Sequence, residues 1–310
     1  MRAWLVLAVV AVSGCSVREY VIDQSIAEQI DFVPDPKHFS GSELRPIADH
    51  VYTWRTTWNR SIAIDTDEGW VLIDPFTAAA AADEKAALEK QSPGKPVRAL
   101  FYSHYHLDHV PGGAVLQPKE VIAHAKCPAY WKDLADDPQV KGILPPTRLI
   151  EGDQTMTFGG VELRLIDLGH SHTDTLYAFY LPKQKVLFTS DTGLKKTLYP
   201  IGGPDMYWPG LLKAMDQLAQ LDFDIWVPSH FNDGTKADFE EQREFLHEIR
   251  RLALETAKLY GGAPGNSETF VKGFHHSYDA LKAKYGDYHG FDQEVVFLVA
   301  RSFTGALLGF

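Results

Sequence analysis

One short stretch, Ser103-His104-Tyr105-His106-Leu107-Asp108-His109, limits what this chain can fold into more than any other part of it. Three histidines and one aspartate stand within six positions, directly after an apolar run that starts at Val97 and reads as a buried strand. His104 and His106 are two apart, so an extended segment can aim both imidazoles the same way. Asp108 and His109 are adjacent, and they reach a different point if the chain turns. Gly112-Gly113 permits a tight turn just beyond. Imidazole and carboxylate ligands suit zinc, and also iron or manganese.

The chain around this stretch has the pattern of a layered α/β protein. Its 310 residues are 45% hydrophobic and 23% charged, enough to bury a sizeable core without disulfides. VYTWRT from Val51 is a short strand. Residues 61–64 and 70–73 form a hairpin around the turn residues Asp65, Asp67 and Gly69. Residues 77–91 are rich in helix formers. A strand at 120–123 and a helix at 129–134 follow. A second β-rich stretch covers 147–190. Helices are predicted over 206–221 and 235–260, on either side of a short buried strand at 225–227. In the longer helix Phe245, Ile249, Leu252 and Leu259 share one face. Thr235 and Asp238 cap its start, and Gly261-Gly262 then Pro264 end it. A helical piece at 278–285 and an apolar helix at 292–308 complete the chain. The order β-rich, α, β-rich, α predicts a sandwich with helices outside two sheets. The main domain is expected over 46–262, with 263–310 as a C-terminal helical cap of the same domain.

The start of the chain reads differently. Residues 1–15, MRAWLVLAVVAVSGC, place Arg2 before an apolar run of ten residues from Ala3 to Val12. A membrane-spanning helix needs about 20 such residues, so the layout is that of a secretory signal. Val12-Ser13-Gly14-Cys15 resembles a bacterial lipoprotein signal. That resemblance implies removal of residues 1–14 and lipidation of Cys15; Ser16 beside it implies the outer membrane. The expected location is therefore the periplasmic side, with membrane contact through the lipid anchor only. Residues 15–45 are expected to be a linker. Cys127 is expected to be a small structural residue with no disulfide partner. The formal charge of −11, from 30 basic and 41 acidic residues, argues against general nucleic-acid binding.

The motif HxHxDH, written here as His104-Tyr105-His106-Leu107-Asp108-His109, resembles that of the metallo-β-lactamase superfamily. The family's later ligands also occur in order: a histidine in Gly169-His170-Ser171-His172-Thr173-Asp174, then Asp191 in KVLFTSD, then His230 in IWVPSHF. The resemblance covers roughly residues 50–260. It implies an αββα sandwich with two zinc ions, or iron or manganese in their place, at one edge between the sheets. It assigns His104, His106 and His172 to the first metal, and Asp108, His109 and His230 to the second, with Asp191 bridging. His172 is preferred over His170 because it enters the following strand directly. His170 is then a neighbour of the ligands or a substrate contact.

The chemistry so implied is attack by a metal-bridging hydroxide on a carbonyl ester, lactone, thioester or amide of a small molecule, with Asp108 and Asp191 as the catalytic carboxylates. The antibiotic-degrading members usually carry Cys or Ser where Asp191 stands, so the resemblance does not imply that activity. A phosphodiesterase or sulfatase, an iron-dependent redox enzyme, and a non-catalytic metal-binding lipoprotein are the other readings. Tyr105 either lines the pocket or packs, and Tyr199 or Tyr207 can donate to a developing oxyanion. Trp54, Trp58 and Trp208 are either a substrate wall or core. Asp74 resembles a structural aspartate of the family. Lys195-Lys196 and His275-His276 read as surface pairs.

Overall fold

The computed structural model describes residues 41–199, 202–203, 205–260 and 267–308. The leader, Cys15, most of the linker and the stop signal at 261–264 lie outside the described residues. The first sheet has seven strands in sequence order: β1 (Ser42–Ala48), β2 (Val51–Thr56), β3 (Asn59–Thr66), β4 (Gly69–Ile73), β5 (Val97–Phe101), β6 (Val121–His124) and β7 (Arg148–Ile150). β1 to β4 pair antiparallel, and β4 to β7 pair parallel. The second sheet has six: β8 (Gln154–Phe158), β9 (Val161–Asp167), β10 (Tyr177–Leu181), β11 (Val186–Thr189), β12 (Ile225–Pro228) and β13 (Gly234–Thr235). Within it only β11 and β12 are parallel.

The central strands are apolar at almost every position because both faces are covered. Ile62, Ile64, Val71, Ile73 and Phe101 face inward against Leu163, Leu165, Phe179, Phe188 and Val227 of the other sheet. Phe101 and Phe179 meet edge to face with ring centroids 5.5 Å apart. The alternate residues Ala63, Leu72 and Leu100 face outward onto Ala81 and Leu88 of helix α1 (Ala78–Gln91). Thr77 caps α1, its side chain accepting from the Ala80 amide at 3.2 Å.

α2 (Gly113–Leu116), α3 (Cys127–Asp133), α4 (Trp208–Ala219), α5 (Lys236–Tyr260), α6 (Ser267–Tyr285) and α7 (Phe291–Leu308) complete the helices among the described residues. The predicted cap of α5 forms as a reciprocal pair: the Thr235 amide donates to Asp238 at 2.8 Å, and the Asp238 amide donates to the Thr235 hydroxyl at 3.3 Å. None of the described helices is long and apolar enough to cross a membrane.

The chain divides into two compact units. One takes residues 34–195 and 213–240, and its described part contains both sheets and α1 to α3. The other takes residues 196–212 and 241–310 together with the first 33. Its described core holds Phe245, Ile249, Leu252, Leu281, Tyr285, Leu298 and Val299, with Phe245 against Tyr285 at 4.8 Å.

Three local readings differ from the sequence expectation, and a fourth holds for a different reason. β1 begins at Ser42, inside the stretch read as linker; it is an edge strand with no fully buried residue, so it carries no apolar alternation. α6 is longer than the piece expected at 278–285. Its Gly273 lowers the helical signal but is required, since a Cβ there would lie 2.2 Å from Thr256 Cγ2. The chain turns at 111–112 as expected, with Gly112 at φ −79°. Its need is spatial: a Cβ would lie 2.6 Å from the Thr77 carbonyl oxygen. Leu259 is 59% exposed although it shares the face of Phe245, because the last turn of α5 outruns the buried stretch that ends at Thr256.

Glu84 on α1 is fully buried, and neither carboxylate oxygen has a hydrogen-bond partner. Burial, with the charge of Asp74 adding to it, pushes this acid up to about 8. An acid raised in the folded state contributes stability that is full below its unfolded value and is lost as pH rises through the folded one. We therefore expect stability to fall between about pH 4.5 and pH 8, by on the order of a few kcal/mol. In Glu84→Gln that slope should flatten, with a higher midpoint at pH 8. Urea unfolding at pH 5 and pH 8 measures both.

Candidate metal centre

The strands bring the motif residues to one edge through their register. Ile73 pairs with Phe101 in the first sheet, so Asp74 and Ser103 leave their strands side by side. Thr189 pairs with Pro228 in the second, so Ser190-Asp191 and Ser229-His230 leave side by side as well. The Tyr177 amide donates to the Ser103 carbonyl at 2.9 Å and stitches the start of β10 to the end of β5. The site lies beyond the carboxyl ends of parallel strands, where α/β sheets commonly bind ligands.

Asp191 is the centre of the arrangement. Its Oδ2 lies 3.5 Å from His104 Nε2, 3.3 Å from His109 Nε2 and 3.2 Å from His172 Nε2. Its Oδ1 lies 2.9 Å from His230 Nε2. His106 joins through Nδ1, 3.1 Å from His172 Nε2. Asp108 joins through Oδ2, 3.4 Å from His109 Nε2 and 3.9 Å from His230 Nε2. Two donor sets result, His104–His106–His172–Asp191 and Asp108–His109–His230, the ligand atoms of each within 4.8 Å of one another.

The rings are held from behind. Asp74, fully buried, accepts from the Ser103 amide at 2.7 Å, the Ser103 hydroxyl at 2.6 Å and His109 Nδ1 at 3.0 Å. With Nδ1 held by Asp74, the His109 ring is turned so that its Nε2 faces Asp191 and Asp108. Ser103 Oγ also lies 2.9 Å from His104 Nδ1, which turns Nε2 of that ring inward. Asn59 Oδ1 lies 3.0 Å from His230 Nδ1 and does the same there. Asp74, His104 and His109 also lie close enough to form a third set. The Asp74 oxygens are already taken by protein donors, so its place is to orient the rings.

These residues fit a cation. The Nε2 atoms of His104 and His109 are buried with no hydrogen-bond partner, whereas buried polar atoms are nearly always satisfied. Burial, with His106 and His109 beside it, holds His104 well below the usual histidine range, so it keeps a lone pair. Burial presses His109 the same way, but the charges of Asp108 and Asp191 outweigh it and raise that ring well above the usual range. Burial opposes ionisation of Asp191 too, yet His109 and His230 hold it well below the carboxylate range. Negative charge thus sits among imidazoles in a closed space, and protons and metal ions compete for it.

The remaining candidates divide. His170 is exposed, while His172 is buried and stands in the cluster. Tyr105 stacks on Tyr130 at 4.0 Å and lies 4.6 Å from the His106 ring, so it borders the site. Trp58 is 37% exposed with its ring 5.6 Å from that of His230, whereas Trp54 and Trp208 are buried. Tyr199 and Tyr207 belong to the other compact unit, Tyr199 buried and Tyr207 half-buried. Lys195 pairs with Asp238 at 3.3 Å and Lys196 with Glu241 at 3.6 Å. His276 lies 3.7 Å from Glu255. Cys127 is buried and its thiol is pushed up to about 12, chiefly by burial, so it is inert. Asn59, Ser103 and Ser229 escaped the sequence reading. A hydroxyl beside a ligand histidine, as in Ser103-His104 and Ser229-His230, was the one available signal.

The family model of the metallo-beta-lactamase superfamily matches residues 59–230, and the chain belongs to that superfamily. The chain is 29% identical over 245 residues to the 2,4-dinitroanisole O-demethylase subunit alpha of Nocardioides sp. (strain JS1661), which covers 78% of this chain and 72% of that one. It is 32% identical over 108 residues to the hydroxyacylglutathione hydrolase of Brucella ovis, covering 35% of this chain and 37% of that enzyme. In fold it is similar to the inverting sec-alkylsulfatase Pisa1 from Pseudomonas sp., with a TM-score of 0.65 and 18% identity over 87% of this chain. It spans half of that sulfatase's length.

His172→Ala and His170→Ala separate the two neighbouring histidines. His172→Ala should weaken one metal position by more than the roughly 10–100-fold that follows loss of an outer hydrogen-bond partner. His170→Ala should leave metal uptake unchanged. Metal content after dialysis against a buffered chelator reads the difference.

Proposed function

We propose that this chain is a dinuclear zinc hydrolase acting on the carbonyl of a small ester, lactone, thioester or amide. The observation that carries this reading is the meeting of four imidazoles on the one carboxylate of Asp191, between two donor sets. Cations bound there supply a Lewis acid and a water-derived nucleophile at neutral pH. The chain's own residues do the rest. Asp74, Ser103 and Asn59 hold the rings so that their lone pairs converge. Asp108, with a side chain 59% exposed, is the carboxylate that faces solvent, and it is placed to orient an attacking water or take up its proton. Trp58 and Tyr105 border the two ends of the site with aromatic surface.

The relative named as an O-demethylase of 2,4-dinitroanisole, similar over most of this chain, brings an aryl methyl ether into the substrate panel. The panel also holds a lactone, an aryl ester, a thioester, a cephalosporin, a bis-aryl phosphate and a secondary alkyl sulfate. Zinc-loaded residues 16–310 should contain two ions per chain and turn over a carbonyl substrate. A chelator should abolish that turnover, and Asp191→Asn should lower it by at least about 100-fold. Selective turnover of the sulfate, phosphate or ether would replace the carbonyl reading, and a folded protein that takes up no metal would sink it. Export and lipidation at Cys15 belong to the same proposal, and incorporation of labelled palmitate in a bacterial host, lost in Cys15→Ala, tests them.

A further inference from the structure

We propose that Ser229 is a positioning residue that sets the rotation of the Asp191 carboxylate so that it faces both donor sets, Oδ2 toward His104, His172 and His109 and Oδ1 toward His230. The inference rests on the metal-binding reading above. Asp191 is buried and has φ +42°, in the left-handed region that a non-glycine residue enters only when its surroundings hold it there. Its surroundings do hold it. The Ser229 hydroxyl accepts from the Asp191 amide at 3.1 Å and donates to Asp191 Oδ1 in a short hydrogen bond. One side chain thus grips both the backbone and the carboxylate of its target.

The main chain of Ser229 is held in place. Its amide donates to the Thr189 carbonyl at 3.1 Å, extending the β11–β12 ladder by one step. Its carbonyl accepts from the Arg60 amide at 2.6 Å. Arg60 is buried, and its Nε reaches past Ser229 to the Phe231 carbonyl at 2.9 Å. The Ser229 backbone is therefore fixed from both sheets. With Oδ1 engaged by Ser229 and facing His230, the carboxylate has one rotation left. That rotation aims Oδ2 at His104 and His172 of the first set and at His109 of the second. Without the hydroxyl, the carboxylate can turn about its own bond and serve the first set alone.

The test is a zinc titration of the full chain against a chelator of known affinity, for the unaltered protein, Ser229→Ala and Ser229→Thr. The melting temperature of each metal-free protein serves as the structural control. Ser229→Ala should keep one tight ion and bind the second about 10–100-fold more weakly, with the metal-free melting temperature retained. Ser229→Thr keeps the hydroxyl and should recover the second ion. Both ions bound with unaltered affinity in Ser229→Ala would overturn the inference, as would equal weakening of both ions, which general loosening produces. If Ser229→Ala does not fold, Ser229→Cys decides: its poor donor should weaken the second ion only, and an unchanged second ion overturns the proposal. Failure of the unaltered protein to take up two ions would instead strike the dinuclear reading on which this one rests.

Discussion

A buried carboxylate ringed by imidazoles is the constraint on which the rest of this structure depends. Burial alone would protonate Asp191, and burial alone would keep His104 and His109 neutral. The charge survives because imidazoles converge on it, His109 and His230 foremost, and they converge because strands from two sheets end at the same edge. The surrounding hydrogen bonds follow from this. Three of the rings that face Asp191 with one nitrogen are held at the other, His109 by Asp74, His104 by Ser103 and His230 by Asn59.

The same need explains the local backbone. Asp74 and Asp191 both stand just past a strand end with positive φ, and both are buried. Each turns the chain sharply so that a short side chain points back into the edge. A glycine would adopt the conformation at less cost but would leave no carboxylate. The cost of the conformation is repaid in hydrogen bonds: three onto Asp74, and the two-point grip of Ser229 on Asp191.

Much of this was legible in the sequence, for identifiable reasons. Strands such as β5 and β11 are covered on both faces along most of their length, so they appear as largely apolar runs. The ligand residues are chemically dense and follow those runs directly. The choice of His172 over His170 rested on which residue enters β10, and the cluster contains His172. The holding residues were not legible, because Asn59 and Ser229 are common residues whose partners lie 171 and 38 positions away. The need for glycine at positions 273 and 112 was not legible for a related reason. Their requirement is a neighbour's surface, Thr256 in one case and the Thr77 carbonyl in the other, and no local pattern announces it. β1 was missed because an edge strand exposed to water needs no apolar stripe.

Each donor set draws from both sheets: His104, His106, Asp108 and His109 follow β5, while His172, Asp191 and His230 come from the partner sheet. An ion can therefore be grasped only after the two sheets have docked, and neither sheet alone offers more than a fragment of a site. A bound ion would report completed assembly, and by mass action it would also act as a late clamp on it. A ligand that binds only the folded state at 1,000 times its dissociation constant adds about 4 kcal/mol, a substantial fraction of the stability of an ordinary domain. The supply of metal in the surroundings would then set how long the folded chain lasts, apart from any reaction it performs.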